Sequence, residues 1–442
     1  MSLCVPGPTP RELLPKLQRL QQDPLSFLLE LTGEYGPFAR IPVPGLQVFH
    51  IAQPQAVKRV LQDNAKNYSK RTLQFTNLAL VTGQGLLTSD GEFWLRQRRM
   101  IQPAFHRRRI AGFGQAMTAA ALGMLERWRA KENQALDIDH EMMEMTLEIV
   151  GLTLFSSDFS ASAKRMVEAT LTTLDFVMHK AQNPFGPPVW LPTARNRRFR
   201  RALKVLDEAV YGLIAERKAA KQPHDDLLSM LLEARDETGA PMSLKQLRDE
   251  LITLIIAGHE TVASALTWTW HLLAQHPEAE AKLHAELEEV LAGRTPSVED
   301  LPELPYTRAV FEEALRLYPP AWLITRRAIG PDRIGPYAIP KGSLLVISPY
   351  IVHRQPEVWS EAERFRPERF LEGSPARYAY IPFGGGPRLC IGNSFALVEG
   401  QLILATVAQR YRLRHASPEA VAVAPLVTIR PRGGLWMRLE PR

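Results

Sequence analysis

The chain has 442 residues and a formal net charge of +7, with 45% hydrophobic and 23% charged residues. That balance excludes disordered and fibrous classes and leaves enough apolar material for one large core or two smaller ones. Two cysteines cannot build a disulfide framework, and neither a signal-peptide pattern nor a run of about 18 apolar residues is present, so a soluble cytoplasmic protein without a transmembrane anchor is expected.

In chain order, residues 1–24 read as a Pro-rich, partly flexible extension carrying Cys4, ahead of a single domain over 25–442. Residues 37–52 suggest a hairpin, Phe38 to Val43 and Gln47 to Ile51, from short β-branched and aromatic runs punctuated by Pro and Gly. From 53 to 290 the period is mostly helical, with breaks at 82–91, 183–193 and 218–226. Within this stretch Trp94 and Arg98 lie one helical turn apart, an indole and a guanidinium donor suited to a carboxylate or phosphate. A surface arginine beside a core tryptophan fits the same spacing. The cluster Arg195, Arg197, Arg198, Arg200, Arg201 and Lys204 raises the question of nucleic acid. Phe199, Leu203 and Leu206 interleave it at helical spacing, which favours an amphipathic helix with a solvated basic face.

A long central helix is predicted from a Ser243-Leu-Lys-Gln246 capping box to His276, just before Pro277. Its middle, Ala257-Gly258-His259-Glu260-Thr261, puts a glycine, a carboxylate and a hydroxyl into an otherwise apolar helix. Glycine there costs about 1 kcal/mol relative to alanine, so a packing or functional reason is expected. Thr261 can return its hydroxyl to the carbonyl of Ala257 and loosen the helix locally. A close helix crossing at the small residue is the plainer reading. A zinc-protease helix is excluded, because Ala263 stands where a second His is required.

A helix over about Tyr306 to Tyr318 carries Glu313 and Arg316 on one face, and Arg369 downstream could complete a buried network with Glu313. From about 319 the character turns to short strands, such as Ser343 to Ile347, and to a terminal hairpin around Gly433-Gly434. Between them stands Phe383-Gly-Gly-Gly386-Pro-Arg388-Leu-Cys390-Ile-Gly392, followed by a predicted helix over Asn393 to Arg410. Glycines that let N–H groups approach Cys390, and a helix N-terminus with roughly half a positive charge, favour a thiolate, which is a strong ligand for haem iron. An inert cysteine beside a tight turn fits the loop taken alone.

Taken in this order, these motifs resemble the cytochrome P-450 family of haem-thiolate monooxygenases, from about residue 25 to the end. The match lies at Phe383, Gly386, Arg388, Cys390 and Gly392, at Ala257 through Thr261, at Glu313, Arg316 and Arg369, and at Trp94 with Arg98. The resemblance implies a mainly α fold with a small β component and a long central helix crossing over a haem b. It implies Cys390 as axial thiolate ligand, and Glu260 and Thr261 as a proton relay beside an oxygen site at Gly258. Trp94, Arg98, Arg388 and Arg326 would meet the propionates, with Arg327 the alternative to Arg326. O2 and a lipophilic substrate are implied, together with a separate ferredoxin and an NAD(P)H-dependent ferredoxin reductase. Arg96, Arg99 and Arg107 to Arg109 suit that acidic partner, although a solvated helix face explains them equally. No nucleic acid is expected to bind, and the protein is expected to be a monomer. The pocket would draw on a loop after Lys70 (Phe75, Leu78, Leu80, Val81), on Ile252, Ile256 and Thr261, on Leu323 and Ile324, and on the terminal hairpin. The stretches around Thr261 and Arg316 look most like soluble bacterial carotenoid hydroxylases; fatty acids and other terpenoids are the alternatives. Glu260-Thr261 argues against a peroxygenase, and a complete relay argues against a non-catalytic haem-binding or gas-sensing protein.

Overall fold

The hairpin read from residues 37–52 forms one edge of a five-stranded sheet whose other members come from far along the chain. In the structure, a computed structural model describing residues 4–132, 134–220, 225–235, 239–373 and 375–442, the strand order is Phe38–Val43, Leu46–Ile51, Leu344–Ile347, Ile324–Ala328 and Tyr68–Ser69. Neighbours are antiparallel except Leu46–Ile51 with Leu344–Ile347. Pro44 and Gly45 make the turn, Gly45 at φ +70° where only glycine is at ease. The N-terminal tail, read as a partly flexible extension, meets this edge. Arg40 N donates to Pro6 O at 2.7 Å and Val5 is buried, which covers an otherwise open strand edge.

The chain divides into two compact units, Met1–Thr76 with Glu313–Cys390, and Asn77–Glu312 with Ile391–Arg442. The first holds the five-stranded sheet. The second is mainly helical and is built on the central helix, Leu244–Gln275, which at 32 residues is about 48 Å long. Ser243 accepts from Gln246 N at 3.2 Å as its N-cap, without the reciprocal half of the predicted capping box. Around the central helix pack Ile138–Leu154, Ala194–Ala219 and Asn393–Ala408, with the strand Tyr411–His415. Among the described residues this is the one helix long and apolar enough to cross a membrane, and 83% of its apolar window is buried in the protein. Its composition serves the core.

Breaks occur at the three expected places, between Leu73–Thr82 and Gly91–Ile101, between Ala163–Gln182 and Ala194–Ala219, and after Ala219, where residues 221–224 lie outside the described residues; others that were not expected include the strand Ala135–Asp137 and the stretch 155–162. The six cations from Arg195 to Lys204 are all exposed while Phe199 and Leu206 are buried, as an amphipathic helix requires. Two expectations fail. The segment after Lys70 is a helix, Leu73–Thr82, not a loop. Gly433 and Gly434, both at φ +86°, turn the chain but make no hairpin. Ile429–Pro431 pairs with Val423–Pro425, and Trp436–Pro441 joins a separate sheet with Ala135–Asp137 and Tyr411–His415. Leu435 N donates to Asp137 Oδ1 at 2.9 Å and fixes that switch of partner.

Candidate active site

The Gly-rich loop is shaped by its own backbone. Cys390 N donates to Phe383 O at 3.0 Å, and Gly384 (φ +72°) and Gly386 (φ +65°) take conformations that other residues avoid. A Cβ on Gly386 would fall 1.8 Å from Leu61 O, so the loop lies directly on neighbouring backbone. Ile381 N donates to His353 Nε2 at 2.8 Å and anchors the segment leading in. Neither cysteine is in a disulfide, and Cys390 is exposed, three residues before the buried helix Asn393–Ala408. An inert cysteine in a packed core is therefore not what the loop holds.

In the same unit, Glu313 and Arg316 are wholly buried and Arg369 nearly so. Arg316 Nε and Nη2 donate to Glu313 at 2.7 and 2.9 Å, and Arg369 Nε donates to Glu313 Oε1 at 3.0 Å. Arg316 also donates to the carbonyls of His353, Ala362 and Arg364, which ties the segment leading to the Gly-rich loop to the helix. On the strand Ile324–Ala328, alternation turns Arg326 inward, 7% exposed with its Nη1 on Thr325 O at 2.8 Å, and Arg327 outward. Arg388 is half-buried.

In the other unit the central helix is buried from Leu247 to Leu273 except at Ala257, Gly258 and Thr261. These share one face at i, i+1 and i+4 and form a single opening in an otherwise closed helix. Thr261 Oγ1 donates to Ala257 O at 2.8 Å, as predicted, and the helix runs on unbroken. Gly258 also serves packing, because a Cβ there would lie 2.9 Å from Val150 Cγ2 on Ile138–Leu154. Glu260 points the other way, into protein. Its Oε1 accepts from Thr428 Oγ1 at 2.8 Å, and burial pushes its carboxyl up to about 7 against the pull of Arg430 and Thr428. Arg430 is itself engaged by Asp139 at 3.3 Å. Ser264 and Trp268 both donate to Ile429 O and hold this C-terminal segment on the helix. His259 is buried with Nδ1 on Ile255 O at 2.6 Å, and its pKa is pushed down to about 4, so it is neutral and structural.

Trp94 is buried and Arg98 half-buried on one face of Gly91–Ile101. Arg96, Arg99, Arg107 and Arg108 are exposed, whereas Arg109 donates to Asp225 at 2.6 Å. Sequence reasoning missed Thr428, Arg430 and Asp139, and it missed Glu399, fully buried on Asn393–Ala408 with its carboxyl raised well above the usual range. The signal for Glu399 was a lone acid within an apolar run. The residue types fit a haem: the first unit holds one exposed thiol on a glycine loop and guanidinium groups at 326 and 388, and the second holds a guanidinium at 98 and an indole N–H, donors of the kind that meet carboxylates.

Comparison with known proteins agrees. The family model described as Cytochrome P450 matches residues 5–433. The chain is 37% identical to cyclooctat-9-en-7-ol 5-monooxygenase of Streptomyces melanosporofaciens, over 99% of this chain and 95% of that protein. It is 31% identical to the chloroplastic carotene epsilon-monooxygenase of Arabidopsis thaliana, over 94% and 81% of the two chains. The crystal structure of CYP175A1 from Thermus thermophillus is similar with a TM-score of 0.81 at 34% identity, covering 98% of each chain.

Proposed function

Because the chain belongs to the cytochrome P450 family and is one of its monooxygenases, we propose that it inserts one oxygen atom into a C–H bond of an apolar isoprenoid, a carotenoid or a cyclic terpenoid. The observation that carries this reading is the three-residue opening in a helix buried everywhere else between Leu247 and Leu273, backed by one acid near neutrality. The named substrates of two relatives, a carotene and cyclooctat-9-en-7-ol, support the isoprenoid class.

The family implies a haem with a cysteine thiolate ligand, and we assign that role to Cys390, the exposed thiol on the Gly-rich loop. Haem, when bound, supplies activation of dioxygen for attack on an unactivated C–H bond. Arg98, Arg326 and Arg388 would answer the charge of its carboxylates and Trp94 would add an indole N–H donor, with Arg326 preferred to Arg327 because it faces inward. Burial pushes the Glu260 carboxyl up to about 7, so near neutral pH it can give up a proton and recover it. Thr428 occupies one of its oxygens and leaves the other to carry the proton. Thr261, whose hydroxyl donates to Ala257 O, keeps its lone pairs free to hold a water in the opening. Ala257 and Gly258 bring no polar side chain to that opening. Electrons come from a separate ferredoxin and its NAD(P)H-dependent reductase, and the exposed cations Arg96, Arg99, Arg107 and Arg108 suit an acidic partner.

Titrating the ferric haem protein with β-carotene, a cyclic diterpene alcohol and palmitate tests the substrate class. A spectral shift and hydroxylated product with an isoprenoid are expected. A shift with palmitate alone would exclude the isoprenoid reading.

A further inference from the structure

Three consecutive charged residues, Arg248, Asp249 and Glu250, are buried near the start of the central helix, at 8%, 3% and 0% exposure. Apolar residues would serve a core helix at lower desolvation cost, so their bonds must have another use. Those bonds go chiefly to one place. Gln84 N donates to Asp249 Oδ2 at 3.0 Å, Leu86 N to Glu250 Oε2 at 2.9 Å, and Arg248 Nη1 to Val81 O at 2.8 Å. Arg248 Nε also donates to Asp207 at 2.7 Å, which adds the helix Ala194–Ala219 to the tie. The connection 83–89 is pressed against the helix. A Cβ on Gly83 would lie 2.2 Å from the Asp249 carboxylate, and one on Gly85 would lie 2.1 Å from Thr253 Oγ1. It is also closed on itself, with Thr88 Oγ1 on Gly83 O at 2.7 Å and Ser89 N on Gly85 O at 3.0 Å.

Asp249, Thr253, Ala257 and Thr261 are spaced i, i+4, i+8 and i+12, each step turned about 40° from the last, so they follow one another along a row that winds slowly around the helix. The connection covers the first two, and the opening begins one turn later, about 6 Å along the axis. We propose that Asp249 and Glu250 are positioning residues that clamp the 83–89 connection to the central helix as the fixed wall of the substrate space beside Ala257, Gly258 and Thr261. This rests on the monooxygenase reading of that opening. Protonation of Glu250 supports it. Burial, helped by Asp249, pushes that carboxyl up to about 8, while Asp249 is met by Lys245 at 2.8 Å and Arg248 at 3.0 Å. Asp207 faces Arg248 from the neighbouring helix, and neither the connection 83–89 nor the helix Leu73–Thr82 brings a charged side chain. At pH 7 Glu250 is thus a neutral acceptor, and alkali places an unpaired charge under the clamp.

The test combines amide hydrogen exchange of segment 83–89, read on the holoprotein without substrate, with kinetics of Glu250→Leu, Glu250→Gln and Asp249→Asn. Glu250→Leu is expected to speed exchange about tenfold. It should also raise KM or shift the site of hydroxylation, with kcat within about twofold. Glu250→Gln keeps the acceptor, so it should hold wild-type exchange and KM at pH 7 and abolish the loosening above pH 8. Kinetics use whichever of the three screened compounds is turned over, so a wrong isoprenoid assignment shows in that screen and leaves this test intact. Wild-type exchange in Glu250→Leu would overturn the clamp. Faster exchange with unchanged KM and product pattern would overturn its role in positioning. If Glu250→Leu fails to fold, Asp249→Asn and the alkaline comparison of Glu250→Gln with wild type decide by the same criteria.

Discussion

Glu313 and Glu260 are both buried carboxylates on helices, one in each compact unit, and their surroundings differ completely. Glu313 is met by two guanidinium groups and by Arg366 N at 2.9 Å, so its charge is fully answered. Glu260 has one hydroxyl at 2.8 Å and the distant pull of an arginine that Asp139 already holds. The first arrangement fixes a backbone path toward Cys390. The second leaves an acid that can gain or lose its proton near pH 7. Burial alone does not mark a catalytic carboxylate; incomplete neutralisation beside an opening does.

The comparison breaks most visibly at Glu313. Glu313→Ala leaves two arginines buried without their carboxylate, at a cost of about 3–5 kcal/mol, and thermal unfolding should show loss of most of the folded protein. Thr261→Ala leaves the fold intact and should lower product formed per NAD(P)H consumed by about 10²-fold, read as uncoupled consumption. Glu250 gives a third contrast, through pH. Its pKa of about 8 in the fold exceeds the ordinary 4.5, so the contribution of its neutral form is whole below about 4.5 and is lost as pH rises through 8. Glu250→Gln should therefore gain melting temperature over wild type across that window, by a few °C, with the gap flat above it. Gly258→Ala should have the smallest effect, about 1 kcal/mol or less in calorimetry. The better helix former is offset by a Cβ 2.9 Å from Val150 Cγ2, and adding Val150→Ala should relieve the clash.

What could be read along the chain was local. Cap, period and proline placed the central helix within a residue of its observed ends, and motif spacing identified Cys390, Glu260, Thr261 and Glu313 as residues to weigh. What escaped was pairing at long range. Thr428 and Glu260 are 168 residues apart and Arg430 and Asp139 are 291 apart, and no periodicity announces such contacts. Gly433-Gly434 signalled a turn correctly. Which strands flank a turn as partners depends on Asp137, nearly 300 residues earlier. Arg326 and Arg327 were equivalent in sequence because a strand's parity becomes visible only when its neighbours are in place.

The most direct test of Glu260 as the proton source is the pH profile of coupling, product formed per NAD(P)H, in wild type and in Glu260→Gln. In wild type, coupling should fall as pH rises through about 7, where Glu260 loses its proton. In Glu260→Gln it should be low and flat across the same range with the melting temperature preserved. Wild-type coupling and an unchanged profile in Glu260→Gln would contradict the account.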